Sequence, residues 1–403
     1  MGTFSRIAIS SALFTAASAA MAATFDDDVA FLKKHVDTIV LSNGKAQVAV
    51  CAAYQGRVMT STARGGEGAS FGWVNRELIS SGKVEPHINV FGGEDRFWMG
   101  PEGGQFAIFF QKGAAKFDLE HWQTPACIDT EPFKVVESTP SSARFERRVQ
   151  LSNYTGTAFD VQIDRTVGLI ERAEAAKLLG VTCPDSVDVV AFSTDNKITN
   201  VGGVAWTKDT GLLSIWILGM FNAAPKTTVV VPFVEGSESK LGPAVNDAYF
   251  GKVPADRLVV KNNVLFFKGD ANSRGKIGLS PRRAKPVMGS YDPASGTLTV
   301  VQYTKPDKAE DYVNSMWELQ DKPFAGDVAN SYNDGPPAPG KKGLGAFYEM
   351  ESSSPAAALA PQASISHVQR TFHFQGAEPE LDAISQKVLG VGLAEITTAF
   401  AAK

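Results

Sequence analysis

The chain has 403 residues, 44% of them hydrophobic and 20% charged, with a formal net charge of −4 at neutral pH. That composition is globular, and the length suffices for a large core, as two domains or one large β-domain. So mild an acidity argues against nucleic acid or an anionic membrane surface as partner.

The first residues read as an export signal rather than as structure. Arg6 supplies a positive start, Ile7 to Ala20 form a short apolar stretch rich in Ala and Ser, and Ala20-Met21-Ala22 fits a small-x-small cleavage pattern. Residues 1–22 are expected to be removed, which takes away Arg6 and moves the net charge from −4 to −5. The apolar run is shorter than the ~20 residues of a membrane span, so no span is expected. A periplasmic or secreted protein follows, with one domain over residues 23–403. Cys51, Cys127 and Cys183 lack metal-ligand spacing. In an oxidising compartment a Cys127–Cys183 bridge and three separately buried thiols both stay open.

In chain order, Asp26 to His35 reads as a short helix. Thr38 to Leu41 and Lys45 to Ala53 flank Ser42-Asn43-Gly44, a strong hairpin signal. Phe106 to Phe110, Ala143 to Leu151 and Phe159 to Val167 read as strands, and Glu171 to Leu179 as an exposed connecting helix. Leu212 to Leu218 and Thr227 to Val231 read as buried strands, and Leu258 to Val260 with Val264 to Phe267 as a hairpin around Lys261-Asn262-Asn263. Thr297 to Tyr303 is a strand, Lys308 to Leu319 a helix of two or three turns, and Gly345 to Glu351 and Ser366 to Phe374 are closing strands. Pro379 to Phe400 has apolar residues three or four apart and reads as a C-terminal helix packed on the outside of a sheet, with Gly390 and Gly392 weakening its middle to the point of a break. So many short strands with polar turns predict an all-β sandwich or barrel with a few peripheral helices.

One segment stands apart. Gly92-Gly93-Glu94-Asp95-Arg96-Phe97-Trp98-Met99-Gly100-Pro101-Glu102-Gly103-Gly104 surrounds three carboxylates, an arginine and a tryptophan with turn residues. Glycine lets backbone turn tightly or approach a ligand closely. The segment reads as a loop that gathers polar groups and an aromatic face around a small polar molecule, or as a charged surface loop.

Three segments, in order, resemble the galactose mutarotase-like superfamily, and among it an uncharacterised exported branch. Ala53 to Thr60 is similar to its early Gly-Arg strand, Gly92 to Gly104 to a Gly-Gly-x-Arg-x-Trp-x-x-Pro-Glu loop, and Gly345 to Glu351 with Leu359-Ala360-Pro361 and His367 to Phe374 to the aldose 1-epimerase ending. The resemblance implies a large antiparallel β-supersandwich with a sugar cleft. It also implies a carboxylate base, matched by Glu349, and a histidine acid, since ring opening needs two groups of different proton affinity about one carbon. The sequence departs from that pattern. Ile198 to Gly203 lacks the Asn-His motif, Gln362 replaces the turn glycine, and the early loop has Glu94, Asp95 and Arg96 in place of a histidine. His87 and His367 are the candidate acids.

Residue by residue, Glu349 and Glu351 share one face of a strand with Phe347, opposite Tyr348 and Met350. Arg96 suits a carboxylate, from Glu102 or from an acidic sugar, or a structural ion pair. Trp98 suits a sugar ring or the core. Arg57 and Asn75 sit near glycines, and Asn333 and Asp334 precede a Pro-rich loop at Asp334 to Gly343. Those four are candidate sugar contacts as well as ordinary turn or ion-pair residues. Arg274, Arg282 and Arg283 suit an acidic sugar or a solvated loop. Gly68 to Gly72 has nucleophile-elbow spacing, but no strand precedes it, so no serine hydrolase is expected. Phosphate loops, dinucleotide fingerprints and zinc motifs are missing, and no cofactor is expected. A divalent cation among Glu94, Asp95 and Glu102 would find oxygen ligands, but Arg96 already balances their charge.

The expected function is an exported protein that binds or processes a small sugar or an oligosaccharide, with acid–base chemistry by carboxylates. It is either an epimerase-like isomerase or a glycoside-cleaving enzyme with carboxylates ~5 Å or ~6.5–9.5 Å apart. A sugar-binding protein without turnover and a structural β-protein are the other options.

Overall fold

Thr24 caps the first helix, Phe25–His35, through a reciprocal pair of bonds with Asp27, and three acidic residues in its first turn face the positive helix end. The computed structural model describes residues 23–308, 310–338 and 340–401, and this helix is the first element among them. The expected export signal lies outside them. Eighteen strands follow among the described residues: β1 (Thr38–Asn43), β2 (Ala46–Cys51), β3 (Arg57–Thr62), β4 (Arg96–Gly100), β5 (Lys134–Ser138), β6 (Ser142–Ser152), β7 (Ala158–Leu169), β8 (Asp188–Asn200) and β9 (Ser214–Asn222). The second half holds β10 (Thr228–Pro232), β11 (Leu258–Lys261), β12 (Val264–Lys268), β13 (Gly275–Leu279), β14 (Val287–Asp292), β15 (Thr297–Tyr303), β16 (Ala329–Asn333), β17 (Phe347–Ser353) and β18 (Ser364–Gln375).

They form a ten-stranded sheet ordered β11-β12-β10-β14-β15-β18-β8-β7-β6-β5, a five-stranded sheet ordered β13-β16-β17-β9-β4 and a small sheet β1-β2-β3. Every pairing is antiparallel. The two large sheets pack face to face. At one end Phe97, Met99, Ile215 and Ile217 meet Phe145, Ile163, Val167 and Phe192. At the other, Tyr348, Met350, Ile277 and Leu279 meet Val229, Leu265, Met288 and Val301. Burying side chains of this size contributes roughly 1.5–3 kcal/mol each. The outer face of the ten-stranded sheet is closed by helices Glu378–Leu389 and Leu393–Thr398, whose Leu381, Ile384, Leu393 and Ile396 cover Phe372 and Phe374. Gly390, at φ +73°, ends the first of these helices, as its sequence suggested.

The expected large antiparallel β-sandwich is the fold found. Two elements differ. Residues 106–110 make no strand. Ala107 and Ile108 donate their amides back to Gly104 and Pro101, and only Phe110 bridges, to Trp122. No helix forms across Tyr312–Leu319, because the backbone is spent elsewhere: Tyr312 donates to the Phe324 carbonyl, Asn314 to Pro323, and Gly326 donates to Tyr312. Long-range pairing has overridden local helix preference there. All three cysteines are free thiols, with Cys51 and Cys127 buried.

The glycine-rich segment is also more ordered than a loop, since its middle is β4, buried throughout. Two glycines deliver it. Gly92 and Gly93 have φ of +94° and +107°, and a Cβ on Gly92 would stand 2.0 Å from the Trp73 carbonyl oxygen. Gly92→Ala is expected to cost about 1–3 kcal/mol of stability, read as a lowered midpoint in urea. An unchanged midpoint would show that the turn is not under this constraint.

Candidate functional site

β4, β9, β17, β16 and β13 alternate side chains between the sandwich interior and the outer face of their sheet. Interior positions are the apolar ones named above. The outward positions form two adjacent rows. In one, Lys276 pairs with Tyr332, Tyr332 with Glu349 and Glu349 with Met220. In the next, Asn330 pairs with Glu351, Glu351 with Leu218 and Leu218 with Arg96. Strand register thus brings a lysine, an arginine and two glutamates together from segments up to 255 positions apart.

These rows floor a cavity of about 270 Å³. Four of the chain's six tryptophans line it: Trp98, Trp122, Trp216 and Trp317. Trp122 and Trp317 stack at 5.8 Å between centroids, and Trp98 meets Trp216 edge-on at 5.5 Å. Connecting segments build the walls, contributing Ile88, Val90 and Leu119 on one side and Asp334, Pro337, Lys342 and Leu344 on the other. Phe250 and Arg274 flank the mouth, with the guanidinium 3.8 Å above the ring.

The charges on the floor are arranged as a chain. Arg96 donates from Nη2 to Glu349 Oε1 at 3.1 Å and lies 4.0 Å over the Trp98 ring. Lys276 donates to Glu351 Oε2 at 2.9 Å, and the Trp216 indole donates to the same oxygen at 3.0 Å. Burial pushes the Glu349 carboxyl up to about 8, against the pull of Arg96 and with the Glu351 charge adding to the rise. Burial likewise raises Glu102 to about 7, opposed by Lys276. Burial works to lower Lys276, but Glu351 and Glu102 outweigh it and hold its ammonium above the ordinary lysine value. The floor therefore combines carboxyl groups that exchange a proton near neutral pH with fixed cations, beneath flat aromatic faces.

Of the residues singled out in the sequence, Arg96, Trp98, Glu102, Arg274, Asp334, Phe347 and Glu349 line this cavity, and Glu351 lies directly beneath it. Asp334 is fully engaged by the Tyr332 hydroxyl at 2.7 Å and the Gly345 amide at 2.8 Å. The others are placed elsewhere. Arg57 is buried and donates to the Gly92 carbonyl. Asn75 caps the short helix Arg76–Ser81 and lines a neighbouring hollow. Asn333 braces the turn before Arg274 through the Ala271 amide and the Ser273 carbonyl. Glu94 and Asp95 turn away from the cavity, Glu94 to His373 at 2.7 Å and Asp95 to Arg165 at 2.6 Å. The three carboxylates of the segment thus point to three places and share no cation position. Arg283 is tied to the carbonyls of Val234, Gly236 and Gly242, and Arg282 pairs with Glu310.

Neither candidate histidine lines the cavity. His367 stands between the sheets, where Ser352 Oγ lies 2.7 Å from Nε2 and Thr304 Oγ1 3.1 Å from Nδ1. Ser352 gives its proton to Gln369 and the Thr304 hydroxyl accepts from the Val368 amide. Nε2 therefore donates, and the Thr304 hydroxyl, with its own proton free, can donate to Nδ1, so the neutral ring is fully partnered. Burial lowers its pKa to about 3. His87 lies in the adjoining hollow, which shares Ile88, Val90, Leu119 and Leu344 with the cavity, and its Nδ1 is 2.6 Å from the Trp122 carbonyl. Lys276, Trp216, Trp317 and Tyr332 went unread in the sequence. For Lys276 the signal was present: Ile277 and Leu279 set a period of two that puts it on the opposite face.

A larger hollow of about 510 Å³ opens at another edge, lined by Ser290, Thr299, Tyr348 and His373. Its polar groups bond one another, Thr299 to His373 at 2.9 Å and Ser290 to Tyr348 at 2.7 Å. Its aromatic lining is Phe71, Trp73, Phe221 and Tyr348, with one tryptophan against four in the smaller cavity.

A family model described as a family of unknown function, DUF6786, matches residues 23–400. No curated protein matches the sequence. Among crystal structures, a candidate aldose 1-epimerase from Escherichia coli K12 is 11% identical, with a TM-score of 0.50, and the match covers 85% of this chain and 99% of that one. A galactose mutarotase-like protein from Lactobacillus casei ATCC 334 is also 11% identical, with a TM-score of 0.48 over 84% and 100% of the two chains. The fold is galactose mutarotase-like. No described helix is long and apolar enough to cross a membrane.

Proposed function

The chain belongs to the DUF6786 family, and we propose that it binds a sugar or glycoside in the tryptophan-lined cavity and uses Glu349 for acid–base chemistry on it. One observation carries this reading: a buried carboxyl group with a raised proton affinity lies on a strand-borne floor beside Arg96, under the faces of four tryptophans. Aromatic faces stack on the apolar side of a sugar ring while losing little side-chain entropy. A carboxyl that titrates near neutral pH is suited to move a proton on and off a hydroxyl or ring oxygen. Glu102, on the same cavity, is the candidate partner of opposite role. The reading includes export to the periplasm or beyond, which the first 22 residues support by their composition.

Glu349 as base must be ionised (near 8) while Glu102 as acid must keep its proton (near 7), so turnover should rise and then fall with pH, with its peak between about 7 and 8. The test is a panel of monosaccharides and oligosaccharides against wild type and Glu349→Gln, with calorimetry for binding and NMR of the anomeric signals for turnover. Loss of at least ~100-fold in turnover, with binding retained, is expected of the variant. Turnover that survives Glu349→Gln removes the catalytic assignment. Sugar binding without turnover is the second reading, and it has an observation of its own: none of the five histidines lines the cavity.

A further inference from the structure

We infer that the guest of this cavity is an anionic saccharide, a uronic-acid-type sugar whose carboxylate is met by Arg274 and Lys342 at the mouth and by Arg96 on the floor. The inference rests on the sugar-cleft reading above and narrows its substrate class. Three of the cavity's carboxylates are committed through at least one oxygen, with Glu351 Oε1 left over and Glu102 outside these pairs. Glu349 accepts from Arg96, Asp334 from Tyr332 and Gly345, and Glu351 from Lys276 and Trp216. Its donors are not. Arg96 is only 3% exposed, yet Nε and Nη1 have no partner, and the indole nitrogens of Trp98 and Trp122 have none either. A buried guanidinium with two idle donors is a costly arrangement unless an acceptor arrives. Arg274 and Lys342 are exposed at the mouth and, among the described residues, make no ion pair; Arg274 is held by Phe250 instead.

A buried guanidinium with unpartnered donors, below two unpaired cations at the mouth, favours a guest that brings acceptors. The planar fork of arginine matches a carboxylate with two parallel bonds. The tryptophan walls select a ring with an apolar face next to that acid group. Together they describe a pyranose carrying a carboxylate, alone or within an oligosaccharide, better than a free anion or a neutral sugar. Sulfated and phosphorylated sugars share the negative charge and are separated from it by experiment.

The full chain would be titrated calorimetrically with galacturonate and glucuronate, their short oligomers, galactose, glucose, glucose 6-phosphate and a sulfated galactose. At least one uronate should bind about tenfold more tightly than its neutral counterpart, with the gap closing as salt rises. The double variant Arg274→Ala/Lys342→Ala, both at exposed positions, should narrow that gap to within about threefold. Arg96→Lys, which keeps the charge but loses the fork, should narrow it as well. Neutral sugars binding as tightly as uronates would overturn the inference and leave the sugar cleft standing. A phosphate or sulfate ester binding more tightly than any uronate would overturn the carboxylate assignment. Binding by no saccharide of any charge would remove the cleft reading itself.

Discussion

Replacing Arg165 by methionine is expected to destabilise the protein by about 3–5 kcal/mol, because it strands a charge in the middle of the sandwich. Arg165 and Asp95 are both fully buried, and their ion pair at 2.6 Å joins β7 of the large sheet to the residue just before β4. The same guanidinium donates to the Gly56 carbonyl at 3.0 Å, to Asn196 at 2.6 Å and to the Asp95 carbonyl at 3.1 Å. Methionine fills much of the space but leaves those acceptors without donors. Burial already pushes the Asp95 carboxyl up, and Arg165 is the main opposing influence. Without it the carboxyl takes up a proton or recruits water.

Urea unfolding read by tryptophan fluorescence tests this. A domain typically holds about 5–15 kcal/mol in total, so the variant should unfold at much lower denaturant. A loss below about 1 kcal/mol would mean that the pair contributes little. The double variant Asp95→Leu/Arg165→Met removes both charges and should recover part of the loss. The site should feel the single change, because Asp95 precedes Arg96 in the same strand segment. Weaker ligand binding by the folded variant is the expected companion result.

The second large effect is a pH dependence centred on His367. Its ring is buried and neutral, with a folded pKa of about 3 against an ordinary value of 6.5. A group lowered on folding contributes stability that is complete above the unfolded value and lost as pH falls towards the folded one. The window therefore runs from about 6.5 down to about 3. Each unit is worth about 1.4 kcal/mol, so the full effect is roughly 3–5 kcal/mol. His367→Gln keeps polar atoms near Ser352 and Thr304 but cannot titrate. Its stability deficit relative to wild type should shrink steadily as pH is lowered through that window. A deficit independent of pH would show that the histidine is not held neutral by its surroundings.

Both residues belong to one polar seam between the sheets. Gln369 and Thr194 also donate to Asp95, and His373 meets Glu94. Such a seam is costly to bury and specific once satisfied, since a shift of one residue would leave several groups unpartnered.

How much of this was legible in the sequence differs by element. The hairpin at Asn43-Gly44 and the broken C-terminal helix were readable because turn and helix signals are local. Glu349 and Glu351 were placed on one outward face, with Phe347, by period two alone. That Arg96 would meet Glu349 was not readable, since it depends on β9 lying between β4 and β17. The glycines around Arg96 disguised a buried strand as a loop. Glu94 and Asp95 looked like cleft residues because adjacency in sequence resembles adjacency in space. They lie in the turn just before β4, however, and both found interior partners. His367 looked like a proton donor until its hydroxyl partners were seen. Trp216 and Trp317, far apart in the chain, give no sign in sequence that they share a wall.

The division of labour in the cavity has an evolutionary consequence. Its charged base plate is anchored in paired strands, whereas its surround is assembled from separate surface excursions, including the stretch that carries Pro337 and Lys342. Mutations that lengthen, shorten or recharge those excursions would reshape the opening without disturbing the charged groups of the plate. Kindred chains should then diverge fastest in their rims while preserving the plate, and selectivity should be transferable between them by grafting rim segments alone.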